Sequence, residues 1–431
     1  MSLNILDRRV KMSERKRLLI YAHYYVPDKA STGQLLRELA EGLLADFDIT
    51  VICAVPSYLG TVENRYKTKK YYYENINGVR VIRVRVPQFS KADKISRVKN
   101  IIAYFFGAIG ASFKAGKQEY VFAISQPPIL GGLLGVFGKL VKKAKYIYNI
   151  QDFNPEQTIA VNYSANKLIL NLMMALDKFS CRQSNLVITV GRDLADTLKN
   201  RFKKIPKYTV INNWADDKSI YPLSTDNEEV HKFRKKYGLE GKFVIMYSGN
   251  IGLYYDLPGI MRVIEKFRPG TKAADGREVV FAFVGAGSML EELMSYANKN
   301  GMDNVVFIPY QEKEKLIYSL NSADVHWCVN AKGIKGVSCP SKYYGIAAAA
   351  KPVIAVLEKG TEIREIIEET DGGLCCEPGD YESIEKNIRW FLDNAGNNRA
   401  SDMGMRGYEY MLKNLTRDVS IEKYRRALLE L

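Results

Sequence analysis

The stretch Cys339–Val356, which reads CPSKYYGIAAAAKPVIAV, decides the predicted fold of this chain. A Pro-Ser-Lys turn opens a helix of small residues, and this helix leads directly into the apolar strand that begins at Pro352. Strands that are apolar throughout are typical of parallel sheets that are covered on both faces. The stretch therefore predicts a helix-to-strand joint in a parallel α/β domain.

The start of this helix has the composition of an anion site. Pro340 occupies the first turn without losing a hydrogen bond, Ser341 is able to cap the helix, and the free N–H groups of a helix start attract phosphate. Lys342 adds a positive charge at the same point. The alternative is an ordinary helix-to-strand joint with a lysine on the surface, and the local pattern does not choose between the two.

The rest of the chain alternates predicted strands and helices, which is the pattern of parallel sheets covered by helices. A polar, turn-prone segment around Trp214 interrupts this pattern, which begins again at Phe243. We therefore predict the α/β fold class, with two Rossmann-like, doubly wound domains. The predicted strands cover residues 18–24, 49–54, 79–86, 121–125, 146–150, 186–190, 243–248, 279–284, 305–308, 325–329 and 353–357.

Three loops that follow predicted strands contain glycine. Gly33 lies in the loop after the first strand, where ligands bind in doubly wound sheets, and Ser31 or Thr32 is available to cap the next helix. The second half has Gly249-Asn-Ile-Gly252 after one strand and Gly285-Ala-Gly287 after the next. The last of these loops lacks the third glycine of a dinucleotide fingerprint, so no NAD site is expected there.

The Pro-Ser-Lys stretch resembles the nucleotide-sugar-binding half of group-1 (family 4) glycosyltransferases of the GT-B fold, particularly bacterial enzymes of capsule, O-antigen and colanic-acid assembly. The usual family pattern is P-S-K-x-x-E-x-x-A-x-G-K-P-V-I-A, and this chain has its first and last parts. Gly345 stands where the family has a glutamate, and Val337 stands eight positions earlier, where the motif has its first glutamate. The resemblance covers nearly the whole chain from Leu18.

The resemblance implies two domains with a cleft between them. The expected limits are a flexible leader at 1–17, an N-terminal acceptor-side domain at 18–212, a C-terminal nucleotide-sugar domain at 213–402 and a helix at 403–431 that packs back on the N-terminal domain. Lys342 is expected to be catalytic and to stabilise the leaving diphosphate. The residues expected to contact the donor are Gly33, Gly249, Asn250, Gly252, Gly285, Gly287, Pro340, Ser341 and Gly345.

Two polar residues follow strands of the first predicted domain. Asp152 comes directly after the strand 146–150, in a Gln-Asp-Phe-Asn-Pro-Glu segment that the resembling enzymes place at the cleft. It is predicted to orient the acceptor or to act as a general base, and the alternative is an Asx-type turn. Arg192 follows the strand 186–190 and is predicted to contact phosphate, the alternative being a solvated arginine at a helix start.

An amphipathic segment extends from Lys94 to Lys117. Its apolar centre is too short to span a bilayer. A helix with an apolar centre and basic ends is suited to an anionic membrane surface, while the alternative is a buried helix of the domain with solvated ends. The residues expected at the membrane are Ile102, Phe105 and Phe106 with the basic residues Lys99 and Lys114, and Lys91 is a further flanking lysine.

Composition agrees with a two-domain enzyme. At 431 residues and 47% hydrophobic, the chain is long enough for two cores. A formal net charge of +15 predicts anionic partners, among which charge alone does not choose. The six cysteines include no C-x-x-C pair and the three histidines are widely separated, so we expect reduced thiols and no metal site.

We therefore predict a retaining glycosyltransferase that moves a hexosyl or N-acetylhexosaminyl unit from a nucleotide sugar, with a UDP-sugar favoured, to a lipid-linked sugar acceptor in surface polysaccharide assembly. The expected partners are the nucleotide sugar, the lipid-linked glycan and an anionic membrane surface, and no nucleic acid. No cofactor or metal is expected, and the expected location is the cytoplasm, peripherally attached to the inner face of the membrane. Two alternatives remain open: a UDP-sugar 2-epimerase, for which only His23 is suitably placed, and a non-catalytic sugar-nucleotide-binding or scaffold subunit.

Overall fold

The computed structural model describes residues 15–90, 93–160, 166–224 and 226–431. The chain divides into two compact units: the first extends to Tyr148 and includes Gln183–Asn185, and the second contains Asn149–Arg182 and Leu186–Leu431. Of the predicted leader, residues 1–14 lie outside the described residues. The first strand begins at Lys16, two residues earlier than the apolar pattern predicts, because Lys16 and Arg17 continue the pairing with Phe47 and Asp48.

Strands and helices alternate along the first part of the chain, as the sequence predicts. A predicted capping role for Ser31 or Thr32 is wrong, because the first helix begins at Ser31 and Ala30 is its N-cap. The elements are β1 (Lys16–Ala22), α1 (Ser31–Gly42), β2 (Phe47–Ala54), β3 (Tyr71–Ile76), β4 (Val79–Val84), α2 (Lys94–Ser112), β5 (Tyr120–Ile124), α3 (Leu130–Lys142) and β6 (Lys145–Ile150).

The same alternation continues to the end of the chain. The elements are α4 (Glu156–Ala160), α5 (Lys167–Gln183), β7 (Leu186–Thr189), α6 (Arg192–Arg201), β8 (Tyr208–Val210), α7 (Glu228–Lys236), β9 (Lys242–Ser248), α8 (Leu257–Ile264), β10 (Glu278–Val284), α9 (Leu290–Lys299), β11 (Val305–Ile308), α10 (Leu316–Asn321), β12 (Val325–Val329), α11 (Lys342–Ala348), β13 (Val353–Val356), α12 (Glu362–Thr370), β14 (Gly373–Cys376), α13 (Tyr381–Asp393), α14 (Arg399–Asn414) and α15 (Arg417–Leu429).

The strands form two sheets that are parallel in their central parts. The eight-stranded sheet has the order β3-β4-β2-β1-β5-β6-β7-β8, and the six-stranded sheet has the order β11-β10-β9-β12-β13-β14. The exception is the antiparallel pair β3 and β4, which the sequence analysis missed. Asn77 and Gly78 join these strands with positive φ angles of 51° and 90°, the backbone that a tight hairpin requires.

The six-stranded sheet is covered on both faces, which explains why its strands are apolar throughout. Along β9, Phe243, Ile245 and Tyr247 enter one apolar cluster, whereas Val244 and Met246 enter a second cluster. Side chains alternate between the faces of a strand, so each strand contributes to two cores. The α/β fold class with two parallel sheets is confirmed.

The C-terminus differs from the single long helix predicted over residues 403–429. Two helices, α14 and α15, replace it, and the break lies at Leu415 and Thr416. Leu415 is buried, and the Thr416 hydroxyl oxygen accepts a hydrogen bond from the Val419 N–H at 3.3 Å, which caps the second helix. Tyr424 of α15 accepts a hydrogen bond from the Asn149 side chain at 3.0 Å. Packing of this helix on an N-terminal domain stays a prediction, as do the predicted limits at residues 212 and 402.

Candidate functional site

The Pro-Ser-Lys turn begins α11 in a way that the sequence analysis described only in part. Ser341 is the N-cap residue, but its side chain makes no capping hydrogen bond, so the predicted capping role is wrong. The helix covers only seven residues, Lys342–Ala348. So short a helix leaves the Lys342 side chain as the main candidate for anion binding, and the catalytic role of Lys342 stays a prediction, as do the donor contacts of Pro340 and Ser341.

The Lys342 ammonium lies between two tyrosine rings. Its Nζ atom is 3.5 Å from the ring centroid of Tyr255 and 5.2 Å from that of Tyr247. Burial lowers the pKa of Lys342 to about 8. Among the residues that the structure describes, no carboxylate forms an ion pair with this ammonium. Lys342 is thus a partly buried cation that lies over aromatic faces and has no carboxylate partner in the described part of the chain.

The glycine loop after β9 packs directly against Lys342. Gly249 has a φ of 146°, and a Cβ atom at this position would lie 2.6 Å from Lys342 Cε. Asn250 is held through its backbone, because its carbonyl oxygen accepts a hydrogen bond from the Tyr247 hydroxyl at 2.6 Å. The loop Gly249–Gly252 and Lys342 therefore lie side by side, and their contact with a donor stays a prediction.

Gly285 and Gly287 have a packing role in this arrangement. A Cβ atom at Gly285 would lie 2.0 Å from the Gly249 carbonyl oxygen, and one at Gly287 would lie 2.0 Å from the Ile251 carbonyl oxygen. The Gly249 N–H donates to the Val284 carbonyl oxygen at 2.9 Å. These two glycines let two loops approach closely, and their predicted contact with a donor stays a prediction.

Asp152 lies beside Ser338, a few residues before the Pro-Ser-Lys turn. Its backbone forms an antiparallel bridge with Ser338, and the next residue, Phe153, donates its N–H to the Val337 carbonyl oxygen at 2.9 Å. Burial raises the pKa of Asp152, and a hydrogen bond with the Ser338 side chain opposes that rise. The pKa of Tyr255 is raised by burial and also by the Asp152 charge. The Asp152 charge thus acts on the tyrosine whose ring faces Lys342, and the predicted role of Asp152 toward the acceptor stays a prediction.

Arg192 is engaged by two carboxylates that the sequence analysis did not connect with it. Its guanidinium lies 2.9 Å from Glu362 Oε2 and 2.8 Å from Glu369 Oε1, and the acidic pair raises its pKa. Glu362 is buried and also accepts hydrogen bonds from the Arg192 N–H and from Asn212 Nδ2. Phosphate contact by Arg192 stays a prediction, and it would require competition with these carboxylates.

Gly345 points toward the protein interior. A Cβ atom here would lie 3.2 Å from Leu320 Cδ1 and 4.0 Å from Ile220 Cδ1, two members of the apolar cluster beneath α11. Val337, the other position where the family has a glutamate, is buried. Position 345 therefore has apolar surroundings and position 337 is buried, which is consistent with the loss of the two carboxylates.

The remaining donor candidate belongs to the first unit. Gly33 lies in α1, and a Cβ atom there would lie 3.3 Å from the Tyr24 carbonyl group, so the glycine lets the helix approach the loop after β1. His23 in that loop is buried, and burial lowers its pKa to about 4, so its imidazole is neutral at pH 7. Neither observation tests contact of Gly33 with a donor.

Helix α2 is amphipathic, with one buried and one exposed face. Tyr104, Ala108 and Ala111 are buried, whereas Phe106 is 65% exposed and Ile102 is 45% exposed. The helix ends at Ser112, five residues before the predicted limit at Lys117. Phe105 is half-buried and contacts the Phe106 ring edge-on. Lys99 and Lys114 are exposed, whereas Lys91 lies outside the described residues. None of the helices in the described part of the chain is both long and apolar enough to cross a bilayer.

A second exposed apolar surface, on α5, was missed by the sequence analysis. Leu168 is 80% exposed, Leu172 and Phe179 are also exposed, and the only buried residues of this helix are Asp177, Ser180 and Cys181. Asp177 pairs with Arg201, which anchors the C-terminal half of the helix. The apolar run that begins at Leu168 is the sequence signal that could have revealed it.

No group of three or more histidine, cysteine or acidic side chains in the described ranges is arranged to hold a metal ion. This concerns the described residues only, and the expectation of a reaction without a metal stays a prediction. The charge that the candidate site offers to an anionic group comes from the side chain of Lys342. The site is therefore suited to binding a phosphate group beside the glycine loop.

Comparisons with known proteins match the chain to glycosyltransferases. Residues 229–410 match the family described as glycosyl transferases group 1. The chain is 25% identical over 348 residues to the probable glycosyltransferase WbjE of Pseudomonas aeruginosa, and the aligned region covers 79% of this chain and 82% of WbjE. It is 22% identical over 388 residues to the putative colanic acid biosynthesis glycosyl transferase WcaI of Escherichia coli K12, covering 87% and 92% respectively.

A solved structure shows the same fold. HepE of Anabaena in complex with UDP superimposes with a TM-score of 0.70 at 11% sequence identity, over 96% of this chain and 100% of that protein. The matched family segment contains both the glycine loop and Lys342, the two parts of the candidate site. Residues 229–410 thus match the glycosyl transferases group 1 family, the chain has the GT-B fold, and it is an enzyme that transfers sugars.

Proposed function

We propose that the chain transfers a sugar from a nucleotide-sugar donor, with a UDP-sugar favoured, to a lipid-linked sugar acceptor in surface polysaccharide assembly. The observation on which the proposal depends is the Lys342 ammonium, which lies against the glycine loop without a carboxylate partner among the described residues. A diphosphate would supply the missing negative charge. The structure of HepE with UDP and the biosynthetic role in the name of WcaI support the choice of donor and pathway.

The proposed reaction breaks the bond between the anomeric carbon and the diphosphate oxygen and forms a bond to the acceptor hydroxyl oxygen. Negative charge develops on the leaving diphosphate, so a preformed cation beside it lowers the barrier. Lys342 supplies that charge, and the proposal therefore includes no metal ion. The acceptor proton passes to the leaving diphosphate, in agreement with retention of the anomeric configuration, while Asp152 orients the acceptor or receives the proton in its place.

The membrane part of the proposal depends on α2. Exposed Ile102 and Phe106 lie on a helix that also presents exposed Lys99, the combination that suits an anionic lipid surface. Attachment to the inner face of the membrane in the cytoplasm would bring the enzyme to a lipid-linked acceptor. The family assignment favours sugar transfer over the epimerase and the scaffold subunit that the sequence alone left open.

A donor screen tests the proposal. Purified protein is incubated with a panel of UDP-, GDP- and dTDP-sugars, and release of the free nucleotide is measured with and without lipid extracts that contain polyprenyl-linked sugars. We expect slow donor hydrolysis with a UDP-sugar and faster release with the acceptor, with NMR of the product showing the donor's anomeric configuration. Release from no nucleotide sugar, or a product of inverted configuration, would contradict the proposal.

A further inference from the structure

The first unit has a groove where the loop after β4 meets α2. Strands β1, β2 and β4 are mutually parallel, so this loop lies beyond the carboxyl ends of the strands, the edge at which α/β proteins bind ligands. The groove has a volume of about 560 Å³. Its lining includes Val62, Tyr66, Lys67, Arg85, Gln88 and Ala103.

Two cations line this groove without an acidic partner. Arg85 Nη1 donates a hydrogen bond to the Lys67 carbonyl oxygen at 2.9 Å, which holds the guanidinium beside the Lys67 segment. Glu74, on the adjoining strand β3, accepts hydrogen bonds from Arg83 Nε at 2.7 Å and from the Tyr66 hydroxyl at 2.8 Å. Within the described ranges, neither Lys67 nor Arg85 pairs with a carboxylate. The groove therefore has a net positive charge and unused guanidinium donors, which suit a phosphate.

Helix α2 forms part of the same wall. The buried Asn100 side chain donates to the Pro87 carbonyl oxygen at 2.8 Å, which ties the helix to the loop after β4. Lys99 and Phe106 lie four residues before and three residues after Ala103, so they are its neighbours on the helix surface. Both are exposed. The basic groove thus opens beside an exposed helix face that combines a lysine with large apolar side chains.

We propose that this groove binds the phosphate head group of the lipid-linked acceptor, with the hydrocarbon chain lying along the exposed face of α2. The inference rests on the proposed function and adds to it a location for the acceptor's phosphate. Lys67 and Arg85 neutralise the phosphate, while Ile102 and Phe106 contact the chain. A lipid phosphate monoester or diphosphate matches both the basic and the apolar half of this surface, whereas inorganic phosphate matches the basic half alone.

Vesicle flotation tests the inference with the full-length protein. The probe is a phosphatidylcholine vesicle that contains polyprenyl phosphate, and the matched vesicle contains the same amount of phosphatidylglycerol. We expect the wild-type protein to prefer the polyprenyl phosphate vesicle by about tenfold or more, because a monoester offers the free oxygens that a guanidinium binds. Inorganic phosphate and diphosphate are added as competitors, and we expect them to compete only weakly.

A double variant, Lys67→Ala with Arg85→Ala, should reduce that preference by about 10- to 100-fold, the loss expected for two charge-assisted contacts. The control, Lys69→Ala with Lys117→Ala, removes the same charge from two exposed lysines that do not line the groove, and we expect it to keep the preference. Arg85→Lys keeps the positive charge but loses the planar guanidinium, and it replaces the double variant as the test if that variant does not fold. It should lose part of the preference.

Three results would overturn the inference. The first is equal binding of the wild-type protein to both vesicles, which would show that the surface binds anionic lipids without selecting polyprenyl phosphate. The second is full competition by inorganic phosphate, which would indicate a phosphate site without a lipid role. The third is a groove variant that behaves like its control. Calorimetry of the wild-type protein with UDP separates these results from a failure of the proposed function, because absent UDP binding contradicts the donor site and not the groove.

Discussion

Replacement of Lys342 by methionine should stabilise the protein while it weakens donor binding. A partly buried ammonium that pairs with no carboxylate of the described residues is unfavourable, and its burial lowers the pKa of Lys342 from 10.5 to about 8. Methionine keeps an unbranched chain in the space between Tyr247 and Tyr255 and makes favourable contacts with aromatic rings. The substitution therefore removes the charge with little change in packing.

The pKa difference sets the size of the effect. Each pKa unit corresponds to about 1.4 kcal/mol, so the protonated lysine destabilises the folded state by up to about 3 kcal/mol. Below pH 8 both the folded and the unfolded state hold the proton, and the full penalty applies. Between pH 8 and 10.5 the folded state releases the proton first, so the penalty disappears as pH rises. The advantage of Lys342→Met should therefore be largest at pH 7 and about half as large at pH 9.5.

Urea unfolding followed by tryptophan fluorescence measures this difference. The three tryptophans, Trp214, Trp327 and Trp390, all belong to the second unit, so their signal reports the unit that contains Lys342. Lys299→Met, at an exposed position of α9, is the matched control and should leave both stability and UDP affinity unchanged.

UDP calorimetry on the same variants completes the test. Loss of one charge-assisted contact to a diphosphate in a partly buried site should weaken UDP binding by on the order of 100-fold in Lys342→Met. The reasoning would be refuted by a variant that is less stable than the wild-type protein at pH 7, by a stability difference that does not change with pH, or by unchanged UDP affinity.

Three further outcomes are expected. UDP affinity of the wild-type protein should fall as pH rises through about 8, because a neutral Lys342 amine cannot pair with diphosphate. Calorimetry from pH 6.5 to 9.5 should detect this change, and a constant affinity would contradict an ion pair between Lys342 and the diphosphate. Gly345→Glu should lower the free energy of unfolding, measured by urea denaturation, by about 2 kcal/mol, because its carboxylate would face Leu320. Gly345→Ala should be tolerated, and equal stabilities of the two variants would show that this position does not face Leu320. In vesicle flotation, the double variant Ile102→Ser with Phe106→Ser should no longer bind anionic vesicles, and added salt should weaken binding of the wild-type protein. If the double variant still binds, another surface attaches the protein to the membrane.

Much of the fold was predictable because its determinants are local. Apolar runs such as Val353–Val356 can only be buried on both faces, and their alternation with helices leads to parallel sheets. The strands Val305–Ile308 and Val325–Val329 were predicted with the observed limits. The hairpin of β3 and β4 was missed although Asn77-Gly78 is a turn signal, because the tyrosines of β3 do not alternate clearly with polar residues.

Lys342 and the glycine loop were identified from their order along the chain, but their chemistry depends on packing. The α/β class, the resemblance to group-1 glycosyltransferases and the candidate residues could be predicted from sequence, because backbone preferences and short motifs are encoded within a few neighbouring positions. The packed chain adds that the Lys342 ammonium lies over the Tyr247 and Tyr255 rings, that Glu362 engages Arg192, and that Gly345 faces Leu320. These contacts join residues far apart in sequence, and burial, which sets the pKa of Lys342, is a property of the packed chain and not of any local pattern.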